Sequence, residues 1–186
     1  WEAIYIMIYK QNKILKVGGD QHLGPNKIDI NVQTIDTKPL TVLKKATFNE
    51  VVTDIIELNP HLPQERLLRD VEVDPENASR VKGDVNWSRM DLRALPKSIG
   101  DLTVGGNLKL DFNNLNSLPA SFGSLKVGRN LNLEGNNLAT LPESFGNITV
   151  GGNLWLSYNN LERLPESFGN ITVGNRVYIT NNPVST

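Results

Sequence analysis

Few residues in this chain have a type and spacing suited to catalysis. His22 and His61 are its only histidines, and neither lies in a recognisable catalytic triad or metal-ligand spacing. The sequence contains no cysteine, so it offers no thiol nucleophile, thiolate metal site or disulfide. The glycine pairs at 18–19 and 105–106 lack the Lys-Ser/Thr of a phosphate-binding loop. We therefore expect no enzyme activity, no catalytic or metal-binding residue and no cofactor.

The overall charge also narrows the classes of function. Lys and Arg total 19 and Asp and Glu total 20, which gives a formal net charge of -1 at pH 7. A chain this close to neutrality has no field that would attract a nucleic acid or an anionic membrane. The longest apolar run, residues 3–9, is too short to span a membrane and lacks the flanks of a signal peptide. A protein or peptide partner is therefore expected, with no nucleic acid, membrane or small-molecule substrate.

A 23-residue repeat organises the second part of the chain. Full copies begin at Val104, Val127 and Val150 and read VGGNLKLDFNNLNSLPASFGSLK, VGRNLNLEGNNLATLPESFGNIT and VGGNLWLSYNNLERLPESFGNIT. A truncated copy begins at Val173. A degenerate copy, VKGDVNWSRMDLRALPKSIGDLT, begins at Val81, as is usual for a repeat at the edge of an array. The repeats thus occupy residues 81–186, in about 4.5 copies.

These copies resemble the leucine-rich-repeat family. The shared core is LxLxxNxLxxLPxxF, the pattern of the 23-residue class found in intracellular signalling scaffolds. The resemblance covers residues 81–186 and implies an α/β solenoid with a parallel sheet on its concave face. One departure is regular: three residues before Leu-x-Leu, the family usually has a leucine, whereas this chain has Gly105, Gly128, Gly151 and Gly174. We interpret this glycine as a close turn at the start of the strand.

The physics of stacking supports the same architecture. In each copy Leu-x-Leu is a short strand with two inward leucines, and copies must stack in parallel to bury them. The successive parallel strands are expected over residues 104–110, 127–133, 150–156 and 173–179. Three buried columns should result: Leu110, Leu133 and Leu156; Leu115, Leu138 and Leu161; and Phe122, Phe145 and Phe168. The residues Asn113, Asn136, Asn159 and Asn182 should point inward and bond the backbone of adjacent turns, and the resemblance implies the same asparagine ladder.

Residues 1–80 show no such period and are expected to form a small α+β N-terminal flank. Residues 3–9, 13–17 and 27–35 are predicted strands, and residues 47–50 have the spacing of a capping box that opens a helix ending before Pro60. A second short helix is predicted near residues 63–69, and residues 74–77 are predicted to form the loop into the array. We expect this flank to cover the first repeat, where Trp87 and Met90 replace a leucine and an asparagine. The alternative is that the segment beginning Val17-Gly18-Gly19 is a further divergent repeat.

The outward-facing positions of the strands carry the candidate binding residues. Trp155 lies between two inward leucines, so its indole is expected on the side of the sheet opposite the core. Exposed Trp and Tyr side chains are typical interface anchors, and solenoids bind with their concave sheet. The residues expected to contact a partner are Trp155, Tyr158, Tyr178, Phe112, Asp111, Glu134 and Arg176. The first three are expected to lie on the concave face and to be mostly exposed. The alternative for the aromatic residues is that they shield an exposed end of the array or meet a C-terminal continuation.

Charged residues beside these rings indicate the chemistry of the partner. Asp111 and Glu134 hold corresponding positions one repeat apart, and we interpret them as a solvated strand face rather than a catalytic acid pair. Their carboxylates favour a ligand with basic or amide groups near an apolar anchor. Arg176 offers a counter-charge at the edge.

We therefore expect a protein-protein interaction module that acts as a signalling scaffold. One alternative is the recognition part of a larger enzyme of kinase, GTPase or ubiquitin-ligase type, whose catalytic domain lies outside this chain. The other is a structural subunit of an assembly. The lack of cysteine favours a cytoplasmic location. Secretion is the alternative, and the Asn-x-Ser/Thr sites at Asn77, Asn86, Asn147 and Asn170 would then be candidate glycan sites.

Overall fold

A computed structural model of the protein describes residues 15–18, 31–34 and 45–184, and the chain forms two units, Trp1–Lys44 and Lys45–Thr186. In the first unit, strand β1 (Leu15–Gly18) pairs antiparallel with strand β2 (Asn31–Thr34). They overlap two of the predicted strands; the third, residues 3–9, lies outside the described residues, as does most of the possible divergent repeat. The boundary at residue 80, drawn where the repeat begins, stays a prediction.

The second unit opens with helix α1 (Phe48–Leu58), where the capping-box spacing predicts a helix. Thr47 Oγ1 accepts a hydrogen bond from the Glu50 N–H at 3.2 Å, and the Thr47 N–H donates to Glu50 Oε2 at 2.7 Å. These two bonds satisfy amides that lack a partner within the helix. The helix ends before Pro60, and the short helix α2 (Gln64–Leu67) follows. The predicted helix and its cap are therefore confirmed.

Each repeat contributes two very short strands to two different sheets. The six-stranded sheet contains β3 (Val73–Asp74), β4 (Asn77–Val81), β6 (Thr103–Val104), β8 (Lys126–Val127), β10 (Thr149–Val150) and β12 (Thr172–Val173). The five-stranded sheet contains β5 (Val85–Asn86), β7 (Leu108–Lys109), β9 (Leu131–Asn132), β11 (Leu154–Trp155) and β13 (Val177–Tyr178). Strands of successive repeats pair in parallel in both sheets. The parallel direction of the strands is confirmed. The expectation of one continuous strand in each repeat, such as residues 104–110, is wrong, because residues 105–107 and their equivalents separate two short strands.

The segment before the first repeat is an antiparallel hairpin rather than a simple loop. Strands β3 and β4 pair across a turn at Pro75 and Glu76. Asp74 Oδ1 accepts a hydrogen bond from the Glu76 N–H at 3.0 Å, which stabilises the tight turn. The predicted loop at residues 74–77 is therefore wrong at its two ends, which are strand residues, and β3 forms one edge of the six-stranded sheet.

Helices α1 and α2 pack against the first repeat. The rings of Phe48 and Trp87 stack with centroids 6.1 Å apart, and Trp87 Nε1 donates to Leu67 O at 2.9 Å. The buried Asn59 side chain accepts the Arg93 N–H at 2.8 Å and donates to Ala94 O at 3.0 Å. Trp87 thus differs from the leucine of later repeats because it faces helices and a backbone carbonyl that needs a donor.

Three columns of apolar side chains fill the interior of the repeats, as expected. The leucine columns are fully buried. After each Leu-Pro pair the chain forms a 3₁₀ helix, at Lys97–Asp101, Ala120–Ser124, Glu143–Asn147 and Glu166–Asn170. Three of these helices place a phenylalanine in a stack, with centroids 6.1 Å apart for Phe122 and Phe145 and 6.2 Å apart for Phe145 and Phe168. Phe145 is therefore enclosed on both faces, whereas Phe168 is only partly buried.

A ladder of asparagines joins each repeat to the one before it. Asn136 Nδ2 donates to Leu110 O and Leu133 O, both at 3.0 Å, and its Oδ1 accepts the Leu115 N–H at 3.2 Å. Equivalent bonds are formed by Asn113, Asn159 and Asn182. Each side chain therefore bonds the backbone of two repeats at once, and the expected ladder is confirmed.

A second polar ladder lies at the turn between the two strands of each repeat. The Asn107 N–H donates to Asp84 Oδ1 at 2.7 Å, and the Asn130 N–H donates to Asn107 Oδ1 at 3.1 Å. The series continues from Asn153 to Asn130 at 2.7 Å and from Arg176 to Asn153 at 3.1 Å. The 23-residue period shows that these residues occupy equivalent positions, but it does not predict the hydrogen bonds between them.

The regular glycine lies where stacked backbones are closest. A Cβ on Gly128 would lie 2.3 Å from the carbonyl oxygen of Gly105, and one on Gly151 would lie 2.1 Å from that of Gly128. The φ of Gly128 is not in the left-handed region. The glycine is thus required by the approach of neighbouring repeats rather than by an unusual turn conformation, which corrects our interpretation from the sequence.

We expect Phe145→Ala to lower the free energy of unfolding by roughly 3–5 kcal/mol, because it empties a fully enclosed site. Urea titration measures this loss. Phe168→Ala is the matched control, and its loss should be clearly smaller because that ring is partly exposed. A loss below about 1 kcal/mol for Phe145→Ala would show that the phenylalanine stack does not hold the interior together.

A second stability test compares two glycines. Gly128→Ala should destabilise the protein by about 1–3 kcal/mol, since the added carbon meets backbone and the repeats must move apart. A Cβ added to Gly169 would meet no atom within 4 Å, so Gly169→Ala should be neutral or stabilising by up to about 1 kcal/mol. Equal effects of the two substitutions in urea titrations would contradict the close approach.

Candidate interaction surface

The five-stranded sheet presents one aligned row of side chains, the strand row, on the side away from the leucines. Its members are Asn86, Lys109, Asn132, Trp155 and Tyr178, which are register partners across β5, β7, β9, β11 and β13. In β7, β9 and β11, the residues before and after the row are buried, while the row itself is exposed or half-buried. The alternation of the strands thus places Trp155 opposite the core.

Trp155 and Tyr178 form a stacked pair at one end of the strand row. Their ring centroids are 5.7 Å apart and their planes differ by 8°. Both side chains are half-buried, so the expectation that they lie mostly exposed is wrong for these two residues. The physical reason is that each ring covers a face of the other. The pair is held as one rigid apolar unit before any ligand arrives.

A second row, the left-handed row, follows the strands and has an unusual backbone. Its residues Arg89, Phe112, Gly135, Tyr158 and Asn181 have φ values of 54°, 52°, 64°, 55° and 55°. This region is strained for bulky side chains, and only the middle repeat has a glycine there. Tyr158 is 57% exposed and Phe112 is 44% exposed, so burial does not compensate for the strain.

Phe112 lies over the glycine of the next repeat. A Cβ on Gly135 would lie 2.6 Å from Phe112 Cδ1. The guanidinium carbon of Arg89 lies 4.2 Å from the Phe112 ring centroid, a cation–π contact. Phe112 thus contacts both Arg89 and Gly135, whereas Tyr158 is the more exposed ring of this row.

The charged candidates are placed differently from one another. Asp111 is only 9% exposed and accepts a hydrogen bond from Ser88 Oγ at 2.6 Å. Glu134 is half-buried at the corresponding position of the next repeat and is the more accessible carboxylate. Arg176 is exposed, and its N–H belongs to the second polar ladder. The structure therefore brings Trp155 and Tyr178 into contact but spreads the other five candidates over four repeats.

A cavity that the sequence did not indicate lies at the opposite end of the strand row. It measures about 310 Å³, and Arg66, Arg69, Lys109, Asn86 and Met90 are among its lining residues. Two arginines spaced three residues apart at a short helix are the only sequence signal for it. The cavity is lined by residues of α2 and its C-terminal end together with residues of the first two repeats. No local sequence pattern predicts that these segments lie together.

The electrostatics of this cavity are mixed. Asp70 and Asp84 also line it. Hydrogen bonds from the Asn107 side chain and backbone hold the pKa of Asp84 below its usual value, and the charges of Lys109 and Arg129 lower it further. Asp84 therefore stays ionised at neutral pH with its carboxylate occupied by Asn107, which is bonded to both of its oxygens.

The described residues form no cluster of metal-ligating side chains. Among residues 15–18, 31–34 and 45–184, no group of three or more His, Cys, Asp and Glu side chains could hold a metal ion. His61 Nε2 lies 3.3 Å from an Asp91 carboxylate oxygen at the surface, while His22 lies outside the described residues. No helix in this described part is long and apolar enough to cross a membrane.

Substitutions in the left-handed row test whether Tyr158 is a surface residue or contributes to packing. Tyr158→Gly should leave the free energy of unfolding unchanged or raise it by up to about 1 kcal/mol, because glycine relieves the strain at this φ. Gly135→Ala should instead lower it by about 1–2 kcal/mol, since alanine is strained there and overlaps Phe112. Thermal and urea unfolding measure both. A loss above about 1 kcal/mol for Tyr158→Gly would mean that the tyrosine is a packing residue.

No protein-family model matches the chain. No curated protein matches it either. The function is therefore inferred from the residues and their geometry.

Proposed function

We propose that this chain is a protein-protein interaction module, a leucine-rich-repeat solenoid of the 23-residue class that binds a protein or peptide on the concave, outward face of its five-stranded sheet. The LxLxxNxLxxLPxxF pattern of the sequence supports this class. The repeated parallel strands, the 3₁₀ helices and the asparagine ladder are compatible with it. A cytoplasmic location belongs to the same proposal, supported by the absence of cysteine from the sequence.

The observation that carries the proposal is the exposed, strained Tyr158, which follows three residues after Trp155 of the Trp155–Tyr178 stack. A non-glycine residue in the left-handed region costs about 1–3 kcal/mol, and the repeat imposes this backbone at Arg89, Phe112 and Asn181 as well as at Tyr158. Burial of Tyr158 does not offset that cost, because the side chain is 57% exposed. Gly135 fills the same position one repeat earlier, so the fold itself does not require a ring there.

The surroundings of these rings favour a particular kind of partner. The Trp155–Tyr178 stack offers a preformed apolar anchor that loses little conformational freedom on binding. Glu134, which follows the strand next to Trp155, offers a carboxylate to a basic or amide group. We therefore favour a partner that presents an apolar side chain next to a basic or amide group.

A selection experiment tests the proposal without a known partner. Random peptides displayed on phage are selected on the immobilised intact chain, and the affinity of selected peptides is measured by calorimetry. Trp155→Ala and Tyr158→Gly should each weaken binding by about 2 kcal/mol, roughly 30-fold. Trp155→Ala should also lower the unfolding free energy by about 1 kcal/mol because it removes the stack. Tyr158→Gly is thus the cleaner variant.

Asn181→Gly is the matched control, because it makes the same backbone change in the same row without removing a ring. Its affinity should equal that of the unchanged chain. A failure to enrich peptides, or an affinity unaffected by both aromatic variants, would contradict the proposed surface. Reduced stability of Tyr158→Gly with intact affinity would show that the rings serve packing alone.

A further inference from the structure

Three cations that form no salt bridge among the described residues line the cavity at the α2 end of the strand row, although the charge of Lys109 acts on Asp84. Arg66, Arg69 and Lys109 line it, and within residues 45–184 none of the three forms an ion pair or a side-chain hydrogen bond. Arg66 lies in α2 and Arg69 lies just beyond its C-terminal end, and both side chains are exposed. An unpaired guanidinium is a planar fork of donors that matches a carboxylate.

We propose that this cavity binds the carboxylate side chain of an acidic residue in the partner peptide, at a fixed distance from the aromatic anchor. This proposal rests on the proposed function. It adds to the apolar aromatic anchor a second subsite that binds a charged group. The arginines supply the charge and Asn86 supplies an amide: its Oδ1 accepts the Ser88 N–H, and its Nδ2 donates to no residue of the described 45–184 segment.

The charge balance of the cavity favours a carboxylate over a phosphate. Three cations line it together with the carboxylates of Asp70 and Asp84, so the cavity has one positive charge in excess. A singly charged carboxylate neutralises that excess. A phosphate group carries more negative charge and would leave part of that charge without compensation in the cavity.

The strand register sets the spacing between the two subsites. Asn86, in the cavity, and Trp155 lie three strands apart in the five-stranded sheet. Strands lie about 4.8 Å apart, so the subsites are separated by about 14 Å. An extended peptide advances about 3.3 Å per residue, and side chains an even number of residues apart lie on one side. The partner should therefore place an acidic residue about four positions from an aromatic or apolar one.

The phage selection tests this when it is run in parallel on three forms of the intact chain. These are the unchanged chain, the double variant Arg66→Gln/Arg69→Gln, and Arg163→Gln as an exposed control arginine on a later repeat. Peptides selected on the unchanged chain and on the control should be enriched in Asp or Glu about four positions from an aromatic or apolar residue. Peptides selected on the double variant should keep the apolar residue and lose the acidic enrichment.

The affinities of a selected peptide then measure how much its acidic residue contributes to binding. Replacing its acidic residue by the neutral amide should weaken binding to the unchanged chain about tenfold, and less than about twofold for the double variant. Equal acidic enrichment on the double variant, or none on the unchanged chain, would overturn the carboxylate subsite while leaving the aromatic anchor intact. No enrichment of any peptide would instead overturn the proposed function, so the two failures are distinct.

Discussion

The hydrogen bonds of the asparagine ladder are the constraint on which the other features of the repeats depend. Each ladder asparagine must reach carbonyl groups of two repeats and an N–H of the earlier one, as Asn136 does with Leu110, Leu133 and Leu115. A buried amide without these partners would destabilise the fold. The bonds form only if successive repeats have the same length and rise. The uniform period of the sequence, the glycine contact and the phenylalanine stack all follow from that requirement.

The same constraint aligns the side chains on the outward face of the five-stranded sheet. Because neighbouring repeats are in register, residues at one repeat position form straight rows one strand apart. The interior positions of these rows repeat Leu, Asn and Phe, whereas the outward positions change from Lys109 to Asn132 to Trp155. Side chains that face solvent are free to vary without disturbing the ladders. The fold thus separates the residues that hold it together from those that we propose bind a partner.

Much of this architecture could be predicted from the sequence, and the exceptions have physical causes. The leucine columns and the ladder asparagines follow from spacing alone, because an exact period brings equivalent residues of successive repeats into register, and the Thr47–Glu50 cap lies within one helix turn. The close approach of Gly128 to Gly105 is a distance between repeats that spacing does not encode. The mutual burial of Trp155 and Tyr178 is likewise a contact between repeats. The sequence contains one indication of the backbone strain at Tyr158, which is the glycine at the equivalent position 135. The cavity had almost none, since Arg66 and Lys109 meet only in the folded chain.

The ladder also has a direction. Asn113, Asn136, Asn159 and Asn182 each donate to and accept from the repeat that precedes them in the chain. A newly formed repeat therefore completes the bonding of its predecessor, and α1 and α2 lie against the first one. A ribosome releases the chain in this same order, so each repeat emerges onto a template that is already folded. Growth of the structure during synthesis can proceed one repeat at a time, with no need to wait for distant sequence.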